Sequence, residues 1–422
     1  MSAALRRVCV VGIGRVGLPL ALALQEAGFE VVGIDRDPAL LVAIRCHAMS
    51  FQEPGFDELL AARGLLVSEA FDAIAAADAV IVTVGTPLRE HIETDLRQVQ
   101  DVLDHVVPRL KPDALLVLRS TIAPGTTEYV RRTVEARTGR KLGDGFLLAF
   151  CPERIAEGKA REELQSLPQI VGTQDAKSRA RARELFAPLG TELLDTDFTG
   201  AELAKLFNNI SRYVYFAVSN QLAMVAAHFG ANIHEVLHLA NHKYPRGIIA
   251  APGLTAGTCL RKDFGMINEF VPYPDLLLSA WKVNEYVPRF LVEAALAHGP
   301  LAGRTVAVLG YTFKRGADDL RDSLAPKLVR LIQREVPREV RVCEPHLAGE
   351  LPSAREDGGT VRNWPLADAL RGADVVFVAV NHDEFARDVL PKAEPHALVV
   401  DLWNCTARGR MAYRVRDVGT RA

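Results

Sequence analysis

The sequence predicts an α/β protein in which two doubly wound parallel sheets flank a helical domain with a long helix. The first observation is a set of short, continuous apolar runs near both ends of the chain, which are typical of strands covered by helices on both faces. The second is internal similarity, because VCVVGIG resembles VAVLGYT and ADAVIVTVGTP resembles ADVVFVAVNHD. Together these observations predict two Rossmann-like domains. The predicted strands are Val8–Val11, Val31–Ile34, Ala79–Val84, Leu115–Leu118, Thr305–Leu309, Val340–Cys343, Val375–Val380 and Leu398–Asp401.

A helical segment separates the two predicted sheets. The stretch from Ala201 to Phe229 contains neither proline nor glycine, and Gly230 follows where a helix is expected to end. At 1.5 Å per residue this helix is about 45 Å long, which favours a position between domains and in a homodimer interface. We therefore expect three domains, at residues 1–200, 201–300 and 301–422.

The composition is that of a globular, cytoplasmic protein. The 422 residues include 49% hydrophobic and 24% charged side chains and carry a formal net charge of −2. No Lys/Arg-rich run indicates a nucleic-acid partner, and no apolar run indicates a membrane span or a cleaved leader. The six cysteines lie far apart without a C-x-x-C pair, which favours free thiols in a reducing compartment. Four of them sit in or beside apolar runs and are expected in the core: Cys9, Cys46, Cys151 and Cys343.

A glycine-rich turn follows the first predicted strand. The glycines of Gly12–Gly17 would let the backbone approach a pyrophosphate at the N-terminus of the helical stretch Leu18–Ala27, although an unliganded tight turn would also use glycine. The next strand ends in Asp35, at the spacing of an acid that bonds adenosine ribose hydroxyls. Arg36 could accept a 2′-phosphate, but Asp35 would repel it, so NAD is expected rather than NADP. The predicted cofactor residues here are Gly12, Ile13, Gly14, Arg15, Val16, Gly17 and Asp35.

Two later segments follow strands at the edge where ligands bind in such sheets. They are rich in small and hydroxyl-bearing residues, whose donors can approach a cofactor, although turn chemistry alone would also explain Pro and Gly. The segments are Val84, Gly85, Thr86 and Pro87, and the run Arg119–Gly125, which contains Thr121.

The long helix carries a polar stripe at helical spacing. Such a stripe in an otherwise apolar helix is either a solvated edge or a site. A lysine and an asparagine on adjacent turns could stabilise an alkoxide or accept a proton. The stripe consists of Glu202, Lys205, Asn209 and Arg212.

Cys259 is the candidate nucleophile. It follows a Gly/Thr loop and precedes Arg261, Lys262 and Asp263, so backbone donors and positive charge could stabilise its thiolate. The alternative is an ordinary surface thiol.

Three histidines recur every fourth residue, at His234, His238 and His242. They could line one helical face like metal ligands, but no cysteine or carboxylate cluster accompanies them. No metal is therefore expected.

Four motifs in this order resemble those of the UDP-glucose/GDP-mannose dehydrogenase family, and the resemblance covers essentially the whole chain. One departure is Ala256, where the family usually has glycine, so a left-handed backbone there would be strained. The matching motifs are Gly257-Thr258-Cys259-Leu260-Arg261-Lys262-Asp263, Cys151-Pro152-Glu153 through Gly158-Lys159, Glu202 with Lys205 and Asn209, and Phe313-Lys314 followed by Asp319-Leu320-Arg321-Asp322-Ser323.

The resemblance implies a four-electron oxidation of a nucleotide sugar. Cys259 would attack the C6 aldehyde, and hydride loss from the thiohemiacetal would give a thioester. Lys205 and Asn209 would stabilise the oxyanion, and Asp263 would activate water or tune the cysteine and the lysine. Glu153 would serve acid/base steps, with Thr121 relaying a water.

The resemblance also implies binding residues. Glu157 and Arg321 would line the NAD site, and Arg246 would contact substrate across a dimer. The residues expected at the UDP-sugar are Glu153, Arg154, Lys205, Asn209, Arg212, Arg246, Gly253, Gly257, Phe313 and Lys314.

Within the family, we expect a UDP-N-acetylhexosamine as the substrate, ahead of UDP-glucose and GDP-mannose. Arg154 offers a donor to an acetamido carbonyl, whereas UDP-glucose enzymes commonly have apolar residues there. Tyr213 argues the other way, because an acid is common at its position in the N-acetylated branch. Two other functions stay open, a two-electron 3-hydroxyacid dehydrogenase and a non-catalytic nucleotide sensor, but neither gives Cys259 a role.

Overall fold

A computed structural model describes residues 4–86, 95–257, 262–263, 265–267, 274–353, 359–406 and 408–417. The chain divides into two compact units. The first comprises Met1–Asn208 and Gly265–Val271, and the second comprises Asn209–Phe264 and Pro272–Ala422. The three-domain division stays a prediction.

The first unit contains a largely parallel sheet. Neighbouring strands are parallel except β7 and β8. The strand order is β3-β2-β1-β4-β5-β7-β8-β9, with β6 beside β7. From β1 the chain first adds strands on one side and then crosses to the other side at β4, so the strand order reverses between β1 and β4. Ligands bind at the carboxyl ends of strands at such a reversal. The strands are β1 (Arg7–Val11), β2 (Glu30–Ile34), β3 (Leu66–Ser68), β4 (Ala79–Val82), β5 (Leu115–Leu118), β6 (Lys141–Leu142), β7 (Gly145–Phe150), β8 (Gln169–Gly172) and β9 (Leu193–Thr196).

Helices cover both faces of this sheet, as the continuous apolar runs predict. Val8 and Val10 belong to one buried cluster, whereas Cys9 and Val11 belong to another, so β1 is buried on both sides. The helices are α1 (Gly17–Glu26), α2 (Pro38–Arg45), α3 (Asp57–Arg63), α4 (Arg97–Val106), α5 (Thr126–Thr138), α6 (Ala160–Ser166), α7 (Ala176–Phe186) and the beginning of α8 (Phe198–His228).

The second unit contains a smaller sheet of the same kind. Its order is β11-β10-β14-β15-β16, and only β16 runs antiparallel to its neighbour. Strands β12 and β13 form a separate antiparallel pair. The strands are β10 (Thr305–Leu309), β11 (Glu339–Cys343), β12 (Leu351–Pro352), β13 (Thr360–Val361), β14 (Val375–Val378), β15 (Leu398–Val400) and β16 (Ala412–Arg414). The helices are α9 (Ile233–Asn241), α10 (Asp275–Leu296), α11 (Ala325–Arg334), α12 (Leu366–Leu370) and α13 (Asp383–Lys392).

The predicted long helix is present as α8, with 31 residues. It begins three residues before the predicted start, because Asp197 caps it by accepting a hydrogen bond from the N–H of Gly200 at 2.6 Å. A glycine in the first turn does not interrupt a helix. Its end agrees with the prediction, since Gly230 has a φ of 65°.

The cysteines follow the sequence prediction with one exception. Cys9, Cys151 and Cys343 are buried, but Cys46 is exposed. Cys46 lies just past the end of α2, whose buried side chains are Leu41 and Ile44, so its position beside an apolar run does not bring it into the core. Among the described residues, no helix has the length and apolar character needed to cross a bilayer.

Candidate active site

The glycine turn of the first unit has the shape that a dinucleotide requires. Gly12 has a φ of 89°, and a Cβ on Gly17 would lie 1.9 Å from the Gly12 carbonyl oxygen. Gly14 faces open space, and a Cβ at that position would have no neighbour within 4 Å. The turn is therefore tight at two glycines and open at the third, and the residues present fit a pyrophosphate at the start of α1. Ile13, Arg15 and Val16 complete the predicted turn.

Asp35 is fixed at the end of β2 beside this turn. Its Oδ2 accepts a hydrogen bond from the N–H of Ile13 at 2.9 Å, and its Oδ1 accepts one from the N–H of Asp37 at 3.0 Å. The side chain stays half-buried and retains an accessible edge, as a ribose acceptor requires. Arg36 is exposed.

The two predicted cofactor loops of this unit contact each other. Ser120 Oγ donates to the carbonyl of Val84 at 2.6 Å, and Thr86 Oγ1 donates to the carbonyl of Thr121. Gly85 lies between Val84 and Thr86, while Pro87 lies outside the described residues. These bonds bring the loops after β4 and β5 together at the carboxyl edge of the sheet.

Glu157 is near the glycine turn, as expected of a cofactor residue. Its Oε2 lies 3.9 Å from Nη1 of Arg15. The Arg15 guanidinium also lies 5.2 Å from the centre of the Phe51 ring. Arg321, the other residue expected there from the resemblance, belongs to the second unit, where its Nη2 lies 2.6 Å from Oδ2 of Asp319.

The carboxylate of Glu153 is held on both sides. Its Oε2 accepts hydrogen bonds from Nε and Nη2 of Arg119, at 2.9 and 2.6 Å. Its Oε1 accepts from the N–H groups of Arg154 and Ile155, at 2.7 and 2.8 Å. The candidate acid/base group therefore has a fixed orientation at the end of β7.

Arg154 is partly committed to its own unit. Its Nη2 donates to the carbonyl of Pro168, and burial lowers the pKa of its guanidinium. Other N–H groups of the guanidinium remain for a substrate carbonyl.

The polar stripe of α8 is buried at three of its four positions. Glu202, Lys205 and Asn209 are buried, whereas Arg212 is exposed. The Glu202 carboxylate accepts hydrogen bonds from the N–H groups of Gly125 and Thr127, both at 2.8 Å. Glu202 thereby caps α5 and ties the loop that contains Thr121 to α8.

The side chain of Lys205 is buried without compensation from the described part of the chain, within which its ammonium group has no hydrogen bond or ion pair. An ammonium group without a partner, at the end of a largely buried side chain, is suited to an anionic ligand or intermediate.

Asn209 contacts Asp263, which lies four residues after the candidate nucleophile in the sequence. Its Nδ2 donates to Oδ2 of Asp263 at 2.5 Å, and the Asp263 side chain is fully buried. Cys259 itself, with Thr258, Leu260 and Arg261, lies outside the described residues.

The loop before Cys259 packs closely against other residues of the second unit, to which it belongs. A Cβ on Gly253 would lie 2.2 Å from the Trp403 ring, and one on Gly257 would lie 2.5 Å from Phe313. The positive φ, 100°, falls on Gly257 and not on Ala256, so the alanine causes no backbone strain. The expected difficulty at Ala256 is therefore absent.

Lys314 and Arg246 both belong to the second unit. Lys314 Nζ lies 5.6 Å from the centre of the Phe313 ring. Arg246 is exposed, and its Nε donates to the Tyr244 hydroxyl at 2.9 Å.

One acidic site in the second unit was not predicted from the sequence. Glu344 follows β11 and is buried, and its Oε2 accepts from the N–H groups of Tyr311 and Thr312, at 2.7 and 3.0 Å. His382 Nε2 lies 3.2 Å from the same oxygen. Burial raises the pKa of Glu344, but these hydrogen bonds outweigh burial and hold the pKa below its usual value. The echo between VCVVGIG and VAVLGYT, followed by an acid after the next strand, was the available signal.

Two histidine groups could suggest a metal. His234, His238 and His242 line one open pocket of the second unit. Separately, the ligand atoms of His346, His382 and Glu384 lie within 4.8 Å of one another. However, His382 Nδ1 accepts from the N–H of Gly316 at 3.2 Å, so its Nε2 carries the proton and faces Glu344. His382 therefore has no free lone pair for a metal in this arrangement.

Family models match almost the whole chain. The NAD-binding, central and UDP-binding domains of the UDP-glucose/GDP-mannose dehydrogenase family match residues 6–190, 199–286 and 307–408, respectively.

Individual relatives agree with these matches. A UDP-N-acetyl-D-mannosamine dehydrogenase from Pyrococcus horikoshii is 30% identical, over 98% of this chain and 99% of the relative. The solved structure of a UDP-D-ManNAc dehydrogenase from that organism has a TM-score of 0.82 at 31% identity and covers 91% of each chain. A UDP-glucose dehydrogenase from Pyrobaculum islandicum has a TM-score of 0.84 at 26% identity, covering 99% of this chain and 96% of that chain. The chain therefore belongs to the UDP-glucose/GDP-mannose dehydrogenase family and is an NAD-dependent nucleotide-sugar dehydrogenase.

Proposed function

We propose that this chain oxidises the C6 hydroxyl of a UDP-N-acetylhexosamine to a carboxylate through a covalent bond to Cys259. The observation that carries the mechanism is the buried contact between Asn209 and Asp263. Asp263 follows Cys259 by four residues in the sequence, and this contact links Asp263 to a donor on α8.

The residues divide the reaction between them. When bound at the glycine turn, NAD would supply the hydride acceptor for both oxidations, that of the C6 alcohol and that of the covalent adduct. The Cys259 thiolate forms a C–S bond to the C6 aldehyde, and Lys205 and Asn209 stabilise the oxygen that becomes negative. After the second oxidation, water cleaves the thioester and releases the thiol and the carboxylate. Glu153 takes a proton from that water, and Thr121 relays the water to it.

The substrate-binding assignments extend this proposal. Lys314, Phe313, Gly257 and Gly253 would contact the sugar nucleotide from the second unit, and Arg321 would contact NAD. Arg212 and Arg246 are exposed, which supports contacts with groups outside the folded chain.

The test of the nucleophile is C259S, with C46S as its control. A serine oxygen is a weaker nucleophile and its ester hydrolyses slowly, so C259S is expected to form no uronate. Cys46 is exposed and remote in sequence from the motif, so C46S is expected to turn over normally. Normal uronate formation by C259S would refute the mechanism.

The N-acetylated sugar is supported by the similarity to the Pyrococcus horikoshii enzyme and by Arg154. The likeness to a UDP-glucose dehydrogenase structure supports the alternative. Turnover with UDP-ManNAc, UDP-GlcNAc and UDP-glucose separates them, and a higher kcat/KM for UDP-glucose would refute the N-acetylated substrate.

We also propose a cytoplasmic homodimer with three functional domains, at 1–200, 201–300 and 301–422. Support for self-association comes from exposed Tyr215, Val218 and Val225 on α8, which with half-buried Leu222 repeat at intervals of three and four residues. That spacing is the one by which two helices pack against each other. In light scattering, V218E is expected to be monomeric. As the control, V42E, at an exposed position of α2, should stay dimeric. A dimeric V218E would refute this interface.

A further inference from the structure

Arg119 is a buried charged residue that has no role in the reaction proposed above. It follows β5 directly, and its side chain is only 1% exposed. Besides its two bonds to Glu153, its Nη1 donates to the Cys151 carbonyl at 3.2 Å and to Oε1 of Gln169 at 2.9 Å. The guanidinium also lies 5.4 Å from the centre of the Phe186 ring. Arg119 thus joins the ends of three strands to one carboxylate.

The Glu153 carboxylate has no rotational freedom left. Arg119 supplies two donors to Oε2, and the N–H groups of Arg154 and Ile155 supply two donors to Oε1. Rotation of the carboxylate would break these hydrogen bonds, so its orientation is restrained at both oxygens. The side chain still keeps 12% exposure, which leaves an edge open to a ligand.

Stability alone does not account for this arrangement. Removing a guanidinium and a carboxylate from water is costly, and buried ion pairs can often be replaced by apolar residues without loss of stability. What an apolar pair could not supply is a carboxylate locked in one orientation.

We propose that Arg119 is a positioning residue that holds Glu153 in the orientation needed for catalysis. The inference rests on the proposed role of Glu153, because Arg119 would act through that carboxylate. Lysine keeps the charge but presents it as a point, so it cannot hold Oε2 with a planar fork while also serving Cys151 and Gln169.

The test is a double-mutant cycle on kcat and KM, with the nucleotide sugar that the wild-type enzyme uses best. The variants are R119K, E153Q, the double variant and R181K. Arg181 is a matched control, because it is also a buried arginine that pairs with a glutamate, Glu184, at 2.8 Å. Circular dichroism and NAD binding establish that each variant is folded.

R119K is expected to lower kcat by roughly ten- to a hundredfold with a smaller change in KM, as for coupled neighbours. In the E153Q background the same substitution should change kcat by less than about twofold. R181K should match the wild type in both readouts.

The possible failures are distinguishable. Wild-type kcat in E153Q would refute the proposed role of Glu153 and Arg119's role with it. If E153Q is impaired but R119K lowers kcat by the same factor in both backgrounds, Arg119 is structural and only this inference fails. Where the double variant is too slow to measure, a rise in KM as large as the fall in kcat in R119K overturns this inference.

Discussion

The two sheets of this protein share one turn but present it differently. In the first unit Gly12 has a φ of 89° and Asp35 accepts the N–H of Ile13. In the second, Gly310 has a φ of 93° and Glu344 accepts the N–H groups of Tyr311 and Thr312. Both acids follow the second strand of their unit and stabilise the turn after the first.

The difference lies in what covers the acid. Asp35 is half-buried and keeps an edge accessible, whereas Glu344 is buried and faces His382. The second turn also lacks the close glycine that starts α1, because Thr312, Phe313 and Lys314 follow Gly310 instead. Asp35 therefore keeps an edge for a ribose, whereas Glu344 does not. This agrees with the matches of the first sheet to an NAD-binding domain and of the second to a UDP-binding domain.

The largest expected effect comes from closing the first turn. In G17A the new Cβ would lie 1.9 Å from the Gly12 carbonyl, so the turn must shift. We expect NAD affinity, measured by calorimetry, to fall by at least roughly a hundredfold, which corresponds to about 2.7 kcal/mol. G310A, whose Cβ would lie 2.4 Å from Val380, should perturb the second unit but leave NAD affinity near the wild-type value. Equal loss of NAD affinity in both variants would erase the distinction between the turns.

The second effect is a loss of unfolding free energy when Glu344, the acid of the second turn, is replaced. The lowered pKa of Glu344 means that its ionised form stabilises the fold above the unfolded pKa of about 4.3, and that this contribution disappears as pH falls through the folded pKa. E344Q should lose about 1–3 kcal/mol of unfolding free energy at pH 7 and less at pH 3. Denaturant titrations at both pH values measure this, and a pH-independent loss would contradict the assignment.

The smallest effect concerns cofactor choice at the first turn. D35N removes the charge that repels a 2′-phosphate but keeps an acceptor for the Ile13 N–H. The preference for NAD over NADP should fall by about tenfold, or 1.4 kcal/mol. The ratio of kcat/KM for the two cofactors is the measurement, with E344Q as the control that should keep the wild-type ratio. An unchanged ratio in D35N would remove Asp35 from cofactor discrimination.

Features governed by local pattern could be predicted from the sequence. The glycine turn, the acid after β2 and the long helix all depend on neighbouring residues, and the structure contains each of them. Cys46 shows the limit of such patterns, because an apolar run does not reveal which side of a short helix is buried.

Features governed by pairing across the sheet could not be predicted. Arg119 and Glu153 are 34 positions apart, and Glu344 and His382 are 38 positions apart. Each pair meets only because parallel strands place their carboxyl ends at one edge of a sheet. Spacing in the sequence carries no trace of these contacts.

The most direct test of the proposed reaction is the number of NADH molecules formed per sugar consumed. With purified wild-type protein, excess NAD and limiting UDP-ManNAc, NADH is measured by absorbance and the sugar nucleotide by chromatography. Because the alcohol passes through an aldehyde bound to Cys259 before it becomes a carboxylate, we expect two NADH per sugar and a uronate product. One NADH per sugar, with an aldehyde or ketone product, would contradict it.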